Sequence, residues 1–468
     1  MNYVNKKLVE FNNEIKNKRI AVIGLGVSNI PLIDYFYAHG ANVVAFDNRN
    51  KENIDFSVIQ KLEDYNMLYY LGENSLEHLI GFDYIFRSPS CRPDIPEIVK
   101  EVENGAILTS EIEKVLELSP STVIGVTGSD GKTTTTTLIY KILEANGYKC
   151  FLGGNIGTPL FTRISEMKPE DMVVLELSSF QLMNMKISPK VAVVTNISPN
   201  HLNVHKDYQE YIDSKMNIFL HQDENGILVI NADNEITKGF YKKAKGKVRY
   251  FSSNQILENG IIFDKSEKII KLCEDGVRKH LIKQKNMKLR GNHNCENACA
   301  AISATLDYAK EDITRKTIEE FPGVEHRLEY IRTIDGVEWF NDSIGSSPSR
   351  TIAGLNSFEE KIVLIAGGYD KHLDYTPIAK PILQNVSKLI LIGQTADKIE
   401  KAVKDEASLE GKSLPIYRCN KFEEIVTIAK EVATEGEIVL FSPASASFDL
   451  FKNFEERGNY FKELVNNL

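Results

Sequence analysis

The sequence predicts an α/β protein of three domains, and three observations support this fold class. Apolar runs of strand length alternate with helical patterns from residue 19 to residue 441, which is typical of parallel sheets covered by helices. Glycine-rich loops near residues 24 and 128 each follow such a run. The length of 468 residues is enough for about three domains, each large enough to bury its own hydrophobic core. We expect a Rossmann-like domain at 1–110, a central P-loop-type domain with a mainly parallel sheet at 111–322, and a Rossmann-like domain at 323–468.

Composition and charge narrow the class of protein. Hydrophobic residues make up 42% and charged residues 26% of the chain, as in ordinary globular proteins. The net charge of −9 and the lack of a dense Lys/Arg block argue against a nucleic-acid binder. The sequence shows no apolar signal region, no run of about eighteen apolar residues and only scattered cysteines. We therefore expect a cytoplasmic enzyme with reduced thiols, no membrane insertion and no nucleic-acid partner.

A partial dinucleotide-binding fingerprint lies near the amino terminus. The strand-like run Arg19–Gly24 leads into Gly24-Leu-Gly26, a helical pattern follows, and a second run ends at Asp47. Asn29 stands where the third glycine of the fingerprint belongs. The pattern fits NAD(P), another nucleotide diphosphate or a purely structural turn. Asp47 is either a ligand or a solvated strand end.

A candidate phosphate-binding loop organises the middle of the chain. An apolar run at 122–127 predicts a strand, Gly128-Ser-Asp-Gly131 breaks it, and Lys132-Thr133 opens a helical pattern that stops at Asn146-Gly147. In this layout backbone N–H groups hold phosphate oxygens, the lysine adds a charge and the threonine hydroxyl reaches Mg²⁺. The spacing departs from G-x-x-x-x-G-K-[ST], because Val126 occupies the first glycine position. An ordinary glycine turn with a surface lysine is the alternative.

Three further residues of this domain are candidate metal ligands, each with an alternative interpretation. Glu176 interrupts an apolar run, where a carboxylate is costly unless it is paired or metal-bound; the alternative is a strand-edge glutamate. His201 follows another strand-like run and is either a ligand or a merely hydrogen-bonded histidine. Lys215, on a predicted helix at 208–219, is by its position alone a solvated residue.

Polar loops follow three predicted strands of the third domain. The strands lie at 337–340, 362–366 and 438–441, and the loops at 341–348, 367–372 and 442–449. Because carboxyl ends of parallel strands share one edge of a sheet, we expect these loops to gather there. Ahead of this domain, Asn294 and Asn297 either cap a helix or face a ligand.

Taken in order, these motifs resemble those of the Mur ligases over essentially the whole chain. The loop Thr127–Thr133 is similar to that family's ATP loop, whose spacing shows the same departure. Further matches lie at Gly153–Gly157, Glu176–Gln181, His201, Lys215, His293–Asn297 and His326–Arg327. Gly367–Lys371 and Ser442–Gly458 resemble the branch that adds D-glutamate, and the Asp-Asn-Pro-Arg signature of the branch that adds diaminopimelate or lysine is absent.

The resemblance implies an ATP-dependent ligase that adds D-glutamate to UDP-N-acetylmuramoyl-L-alanine through an acyl phosphate. It implies a monomer with two Mg²⁺ ions, ATP as co-substrate and Lys132, His201 and Lys215 as catalytic residues. Thr133 and Glu176 would hold one ion, and His201 with a carbamylated Lys215 the other, which reverses the solvated interpretation of Lys215. The residues implied in ATP binding are Gly128, Ser129, Asp130, Gly131, Lys132, Thr133, Thr134, Asn294, Asn297, Arg327 and Asp342.

The resemblance also implies contacts for the two other substrates. The residues implied for the UDP-linked substrate are Gly26, Val27, Ser28, Asp47, Asn48, Arg49, Ser88, Ser90, Asn155 and His201. Those implied for D-glutamate are Lys371, Ser346, Ser447 and Phe454. The sequence departs from the family at Ile344, where many members carry a lysine. If that lysine contacts glutamate in the family, we expect this chain to rely on Lys371 or on another cation such as Arg350.

Three alternatives fit parts of the pattern. A folylpolyglutamate-synthase-like ligase shares the ATP domain and the amide chemistry, but begins with its ATP domain. An NAD(P)-dependent oxidoreductase would use Gly24-Leu-Gly26 and leave the phosphate loop and Glu176 without a role. A non-catalytic ATP-binding switch would have no use for the loops of the third domain.

Overall fold

The computed structural model describes residues 3–199, 204–371 and 373–468, and it confirms the α/β fold class. Residue contacts divide the chain into two compact units, Met1–Gln284 with Cys295–Ile318, and Lys285–Asn294 with Glu319–Leu468. In the described ranges, the first unit contains two sheets and the second unit contains a third. No helix within those ranges is long and apolar enough to cross a membrane.

The first sheet is formed by parallel strands near the amino terminus. Its strands are β1 (Arg19–Ile23), β2 (Asn42–Asp47), β3 (Leu68–Leu71), β4 (Tyr84–Arg87) and β5 (Ile107–Thr109). The helices are α1 (Lys6–Glu14), α2 (Ile30–Ala38), α3 (Phe56–Asp64), α4 (Pro96–Glu103) and α5 (Glu111–Leu118). The strand order β3-β2-β1-β4-β5 is that of a Rossmann-like domain. Because β1 and β4 are neighbours, the loops that follow them lie side by side.

The second sheet is larger and mixed. Its strands are β6 (Thr122–Thr127), β7 (Cys150–Gly154), β8 (Met172–Glu176), β9 (Val191–Val194), β10 (Ile227–Asn231), β11 (Lys247–Ser252), β12 (Gly260–Asp264), β13 (Ile269–Glu274) and β14 (Val277–Lys283). The helices are α6 (Lys132–Ala145), α7 (Ser179–Leu182), α8 (Tyr208–Leu220), α9 (Glu235–Gly239), α10 (Asn292–Thr305) and α11 (Glu311–Glu320). The order is β14-β13-β12-β11-β10-β9-β6-β8-β7, with antiparallel pairing only between β12, β13 and β14 in the described part of the sheet.

One hydrophobic core extends under both of these sheets. Phe161 belongs to this core and begins a 3₁₀ helix, Phe161–Glu166, between β7 and β8. Its ring contacts Phe11 of α1 and Phe36 of α2, with centroids 6.0 and 5.7 Å apart. Such aromatic contacts across the boundary explain why the first two sheets form a single compact unit.

The third sheet forms the second unit. Its strands are β15 (Glu329–Ile334), β16 (Val337–Asn341), β17 (Ile362–Ala366), β18 (Val386–Leu391), β19 (Ile416–Arg418) and β20 (Ile438–Phe441). The helices are α12 (Pro348–Leu355), α13 (Ala379–Asn385), α14 (Ala396–Glu410), α15 (Phe422–Val432) and α16 (Phe454–Asn466). In the order β15-β16-β20-β17-β18-β19, the three strands that precede the polar loops are neighbours and parallel.

Candidate functional site

The candidate phosphate loop joins β6 to α6 and turns at Gly131. This residue precedes α6 with φ of 77°, and a Cβ there would lie 2.2 Å from Oδ1 of Asn297. Only glycine fits both the backbone conformation and the close approach. The hydroxyl of Thr135 also donates to Oδ1 of Asn297, at 3.4 Å. Helix α10 therefore packs directly on the loop, and the first backbone N–H groups of α6 have no partner inside the helix.

The phosphate loop rests on the segment that follows β9. The backbone N–H of Ser129 donates to the carbonyl of Asn196 at 2.9 Å, and its hydroxyl lies 2.9 Å from the carbonyl of Ser198 and 2.8 Å from the hydroxyl of Tyr211. The N–H of Asp130 donates to Oδ1 of Asn196 at 3.0 Å. These contacts fix the loop before any ligand binds.

Two lysines converge on the carbonyl of Gly128. Nζ of Lys132 donates to it at 3.0 Å and to the carbonyl of Ser129 at 2.8 Å. Nζ of Lys215 donates to the same Gly128 oxygen at 2.8 Å. Lys215 is 2% exposed, so its interpretation as a solvated residue is wrong. Burial, and then the charge of Lys132, lower the pKa of Lys215 well below its usual value, which favours a neutral amine.

Glu176 ends β8 as a buried carboxylate with one engaged oxygen. Oε1 accepts from Nδ2 of Asn155 at 2.8 Å, so Asn155 is turned toward Glu176. Oε2 has no hydrogen-bond partner among the described residues. A buried carboxylate oxygen of this kind suits a hard cation such as Mg²⁺, and Glu176 is 1% exposed. The described residues contain no group of three His, Cys, Asp or Glu side chains placed to hold a metal.

The remaining candidates of this region are Thr133, Thr134 and His201. Thr133 lies partly exposed in the first turn of α6, and Thr134 beside it is buried. His201 lies outside the described residues. The charges of Lys132, Glu176 and Asp130 all act on Lys215. The structure therefore brings Lys132, Lys215, Glu176 and the phosphate loop together at the carboxyl edge of the second sheet.

The partial fingerprint of the first sheet is a tight turn closed by Asn29. Gly24 has φ of 91°, and a Cβ there would lie 2.4 Å from the hydroxyl of Ser88. Nδ2 of Asn29 donates to the carbonyls of Ile23 and Gly24, at 2.9 and 3.1 Å. The residue that replaces the third glycine thus holds the loop shut against the end of β1.

Asp47 is a buried anchor, and its interpretation as a solvated strand end is wrong. Oδ2 accepts from the backbone N–H of Leu25 and from Nη2 of Arg49, both at 2.7 Å, while Oδ1 accepts from Nε of Arg49 at 2.9 Å. Burial alone would raise the pKa of Asp47, but these hydrogen bonds outweigh it and lower the pKa. With both oxygens engaged, Asp47 is not placed to bind the two ribose hydroxyls of NAD, which disfavours the oxidoreductase alternative.

The other residues implied for the UDP-linked substrate line the loops after β1, β2 and β4. Ser88 and Ser90 lie in the loop after β4, with their hydroxyl oxygens 3.0 Å apart. The exposed or partly exposed residues of the other two loops are Gly26, Val27, Ser28, Asn48 and Arg49. These loops form one continuous rim at the carboxyl edge of the first sheet.

The three polar loops of the third sheet gather as predicted. The hydroxyl of Ser442, after β20, donates to Oδ2 of Asp342, after β16, at 2.6 Å. The N–H of Gly367, after β17, donates to the carbonyl of Pro443 at 2.7 Å. Tyr369 and Ala446 form a bridge between the second and third loops.

Arg457 is the organising residue of these loops, and the sequence did not single it out for that role. It is 2% exposed on α16. Its guanidinium donates to the carbonyls of Ser343, Ser445 and Ala446 at 2.8, 3.1 and 2.7 Å. Burial lowers the pKa of Arg457 to about 10. One feature of the sequence could have revealed this role: Arg457 stands between Phe454 and Phe461 on the apolar face of a helix.

The residues implied for D-glutamate lie around this gathered edge. Nζ of Lys371 lies 5.3 Å from the ring centroid of Phe448, and Lys371 is exposed. Ser447 is buried, and Phe454 begins α16 with its ring 6.0 Å from that of His326. Nη1 of Arg350 donates to the carbonyl of Ile344 at 3.1 Å, and the N–H of Ser346 donates to the same carbonyl. Arg350 thus lies against the position that carries lysine in many members of the family.

Asn294, Arg327 and Asp342 also belong to the second unit. Nδ2 of Asn294 donates to the carbonyl of Arg290 at 2.7 Å. Asp342 is buried, its Oδ1 accepts from the N–H of Leu328 at 3.3 Å, and the charge of Arg327 acts on it. Burial raises the pKa of Asp342 to about 6.

We expect Asp342→Asn to stabilise the protein by about 1 kcal/mol at pH 4.5 and by more at pH 8. The folded-state pKa, about 6, lies above the ordinary 3.8, so the favourable contribution of the protonated carboxyl is lost as pH rises through 6. The expected gain at pH 8 is on the order of 2–3 kcal/mol. Denaturant unfolding at both pH values measures it, with exposed Asp335→Asn as the control. Equal effects at the two pH values would contradict the assignment.

Known protein families match this chain in the regions of all three sheets. Family models match as the Mur ligase MurD-like N-terminal domain at residues 18–110, the Mur ligase middle domain at 126–305, and the Mur ligase glutamate ligase domain at 326–445. A protein of Acetivibrio thermocellus named UDP-N-acetylmuramoylalanine--D-glutamate ligase is 50% identical over 467 residues, 99% of this chain and 100% of the relative. Proteins of the same name from Ruminiclostridium cellulolyticum and Clostridium novyi are 50% and 48% identical, each over 99% of this chain and 100% of the relative.

Solved structures share the fold at low sequence identity. UDP-N-acetylmuramate-alanine ligase MurC from Thermotoga maritima aligns with a TM-score of 0.58 and 19% identity, covering 96% of this chain and 99% of that chain. MurF ligase from the same organism, in complex with ADP, aligns with a TM-score of 0.57 and 19% identity over 97% of each chain. The sequence relatives are about 50% identical to this chain over their whole length, which establishes the family as well as the fold. The chain belongs to the Mur ligase family.

Proposed function

We propose that this protein joins D-glutamate to UDP-N-acetylmuramoyl-L-alanine, converting ATP to ADP and phosphate, in the synthesis of peptidoglycan precursors. The observation that carries the proposal is the cluster at the carboxyl edge of the second sheet. There Lys132 and the phosphate loop lie beside the buried Glu176, whose Oε2 is unpartnered among the described residues. The names of relatives that match the whole chain supply the substrates.

The proposed reaction has two steps, phosphorylation of the substrate carboxylate and attack by the amine. An oxygen of the alanyl carboxylate attacks the γ-phosphorus of ATP, the bond to the β–γ bridging oxygen breaks, and ADP leaves with an acyl phosphate formed. The amine of D-glutamate then attacks the acyl carbon, and the tetrahedral intermediate releases phosphate and a proton. A carboxylate and a triphosphate repel each other, so the first step requires fixed positive charge. The ammonium of Lys132 at the phosphate loop supplies it.

We propose two Mg²⁺ sites at this cluster. Thr133 and Glu176 would hold one ion, and His201 with Lys215 the other. Bound Mg²⁺ neutralises and orients phosphate and carboxylate oxygens during phosphoryl transfer. ATP itself would lie on Gly128–Thr134, with Asn294, Asn297, Arg327 and Asp342 contacting adenine, ribose or phosphate.

Lys215 would act as a carbamate. An ammonium cannot bind Mg²⁺, whereas a carbamate presents oxygens that a hard cation prefers. The neutral amine, favoured by its lowered pKa, adds to the carbon of CO₂, and the proton released passes to solvent. The second cation at Gly128, Lys132, disfavours the competing ammonium form.

The other substrates would bind at the first and third sheets. The UDP-linked substrate would contact Gly26, Val27, Ser28, Asn48, Arg49, Ser88 and Ser90, with Asp47 holding Arg49 and with Asn155 and His201 toward the alanyl end. D-glutamate would contact Lys371, Ser346, Ser447 and Phe454. Because D-glutamate has two carboxylates and Ile344 carries no charge, we propose Arg350 as a second cation. We further propose that the protein works as a cytoplasmic monomer, without a nucleic-acid partner or membrane insertion.

Phosphate release from ATP tests this function. The assay supplies UDP-N-acetylmuramoyl-L-alanine with single amino acids: D-glutamate, L-glutamate, L-lysine and meso-diaminopimelate. We expect stimulation by D-glutamate alone: the cations Lys371 and Arg350 favour an acidic over a basic amino acid, and the name of the relatives specifies the D-enantiomer. The assignment would be refuted if L-lysine or L-glutamate stimulated phosphate release and D-glutamate did not.

A further inference from the structure

The buried guanidinium of Arg87 links the two sheets of the first unit. Arg87 ends β4 and is 1% exposed. Nη1 donates to the carbonyl of Cys91 at 2.9 Å, in the loop after β4. Nη2 donates to the carbonyl of Phe180 at 2.9 Å, and Nε to Oδ1 of Asn184 at 2.7 Å, both in the segment after β8. One planar side chain therefore fixes two loops that are remote in sequence.

These two segments carry opposite ends of the proposed reaction. The loop after β4 presents Ser88 and Ser90, which we assign to the UDP-linked substrate. The segment after β8 begins directly at Glu176, and Ser178 with Gln181 forms a capping box that holds its helix, α7. The distance between a UDP group on one loop and a phosphate near Glu176 depends on how these segments are joined.

Arg87 is a costly residue for a merely structural contact. In the described part of the chain its hydrogen-bond acceptors are carbonyl and amide oxygens, not carboxylates, and the charge of Glu113 only partly offsets its burial. Burial lowers the pKa of its guanidinium to about 10, which reflects the cost of removing the charge from water. A hydrocarbon side chain would avoid that cost, but it would leave the three acceptors without this donor. What a hydrocarbon lacks is a rigid fork that holds several acceptors at fixed separations.

A second, more exposed contact holds the same loop. Arg92 is 25% exposed at its side chain, with Nη2 at 2.7 Å from Oε1 of Glu210. Its Nη1 donates to the carbonyl of Val204 at 2.9 Å. Its guanidinium also contacts both carboxylate oxygens of Asp94. Arg92 shows that the loop is held to the second sheet at both ends, and Arg87 is the more deeply buried of the two contacts.

We propose that Arg87 is a positioning residue for acyl-phosphate formation, which sets the separation between the UDP-binding loop and the segment that begins at Glu176. The inference rests on the proposed function, since it requires a substrate anchored on the first sheet to react at the second. Arg87 is too buried to touch either substrate, so both should still bind when it is replaced. A misplacement of about 1 Å is enough to slow a reaction by about 10²-fold.

The test compares Arg87→Met and Arg87→Lys with the wild type and with Arg249→Met. Arg249 is a matched control, because its buried guanidinium is held by the carbonyl of Ser303 and by Asp307 and joins no two substrate loops. Calorimetry measures the Kd of UDP-N-acetylmuramoyl-L-alanine and of a non-hydrolysable ATP analogue. Hydroxylamine trapping measures acyl phosphate without any amino acid. We expect Arg87→Met to keep both Kd values within about threefold and to trap about 30-fold less per unit time, with a smaller loss for Arg87→Lys and none for Arg249→Met.

N-acetylmuramoyl-L-alanine without UDP gives a second readout. It is not anchored on the first sheet, so wild type and Arg87→Met should phosphorylate it at the same low rate. An unchanged trapping rate with the full substrate, an equal loss with both acceptors, or a loss shared by Arg249→Met overturns the proposal. If Arg87→Met does not fold, Asn184→Ala, which removes one acceptor, carries the same comparison. A wild type that phosphorylates no acceptor contradicts the proposed function instead, so the two failures are distinguishable.

Discussion

Lys132→Ala is expected to lower kcat by about a thousandfold and to leave the affinity for UDP-N-acetylmuramoyl-L-alanine unchanged. The ammonium of Lys132 lies over the phosphate loop, on the carbonyls of Gly128 and Ser129, where it opposes the repulsion between γ-phosphate and substrate carboxylate. The residues assigned to UDP lie on the first sheet, so substrate binding does not need this charge. Single-turnover trapping of acyl phosphate measures the rate of phosphoryl transfer, and calorimetry measures the affinity for the UDP-linked substrate.

Lys141→Ala is the control on the same helix. Lys141 lies in α6, exposed and paired with Glu144 at 2.8 Å, so its removal tests general damage to the helix. We expect it to keep wild-type kcat. Equal losses of turnover and of UDP-substrate affinity in Lys132→Ala would show that the lysine supports the fold rather than phosphoryl transfer.

Lys215→Ala is expected to lower kcat by about a hundredfold or more, with much of the loss restored by acetate. A small carboxylate can enter the space left by the shortened side chain and replace the carbamate oxygens. In the wild-type protein, ¹³CO₂ should give a carbamate carbon signal in NMR spectra. This signal should be absent from Lys215→Ala, which provides evidence independent of turnover.

Acetate must act selectively for this interpretation to stand. Lys132→Ala loses a positive charge, so we expect no restoration by acetate there. Restoration of both variants, or a Lys215→Ala enzyme that retains full activity without acetate, would refute the carbamate. A loss that acetate does not restore, together with no carbamate signal in the wild type, would refute it as well.

The sequence predicted those parts of the site that depend on local pattern and strand order. The phosphate loop follows a strand and opens α6, and the three polar loops of the third sheet meet because β16, β20 and β17 are neighbours. The first expectation needed only the local pattern of strand, glycine loop and helix, and the second only that parallel strands place their carboxyl ends at one edge. The identity of the family followed from the order of motifs, none of which was specific by itself.

The burial of Lys215 and of Asp47 is what the local sequence pattern did not reveal. Lys215 is 2% exposed because Gly128, 87 residues earlier in the chain, supplies its acceptor. The pattern left Asp47 open between a ligand and a solvated strand end, and its carboxylate is engaged by Leu25 and Arg49. A periodic pattern reports which face of an element is apolar, but not which distant carbonyl will receive a buried cation.

The contact between Gly131 and Asn297 has a consequence for how the nascent chain folds. The phosphate loop leaves the ribosome early, yet the helix that packs on it, α10, is made more than 160 residues later. The first compact unit also needs residues up to Ile318. Long-range closure of this kind is slow and exposes intermediates. The nucleotide site, to which we also assign Arg327 and Asp342, should therefore become competent for ATP only after about three quarters of the chain has been synthesised.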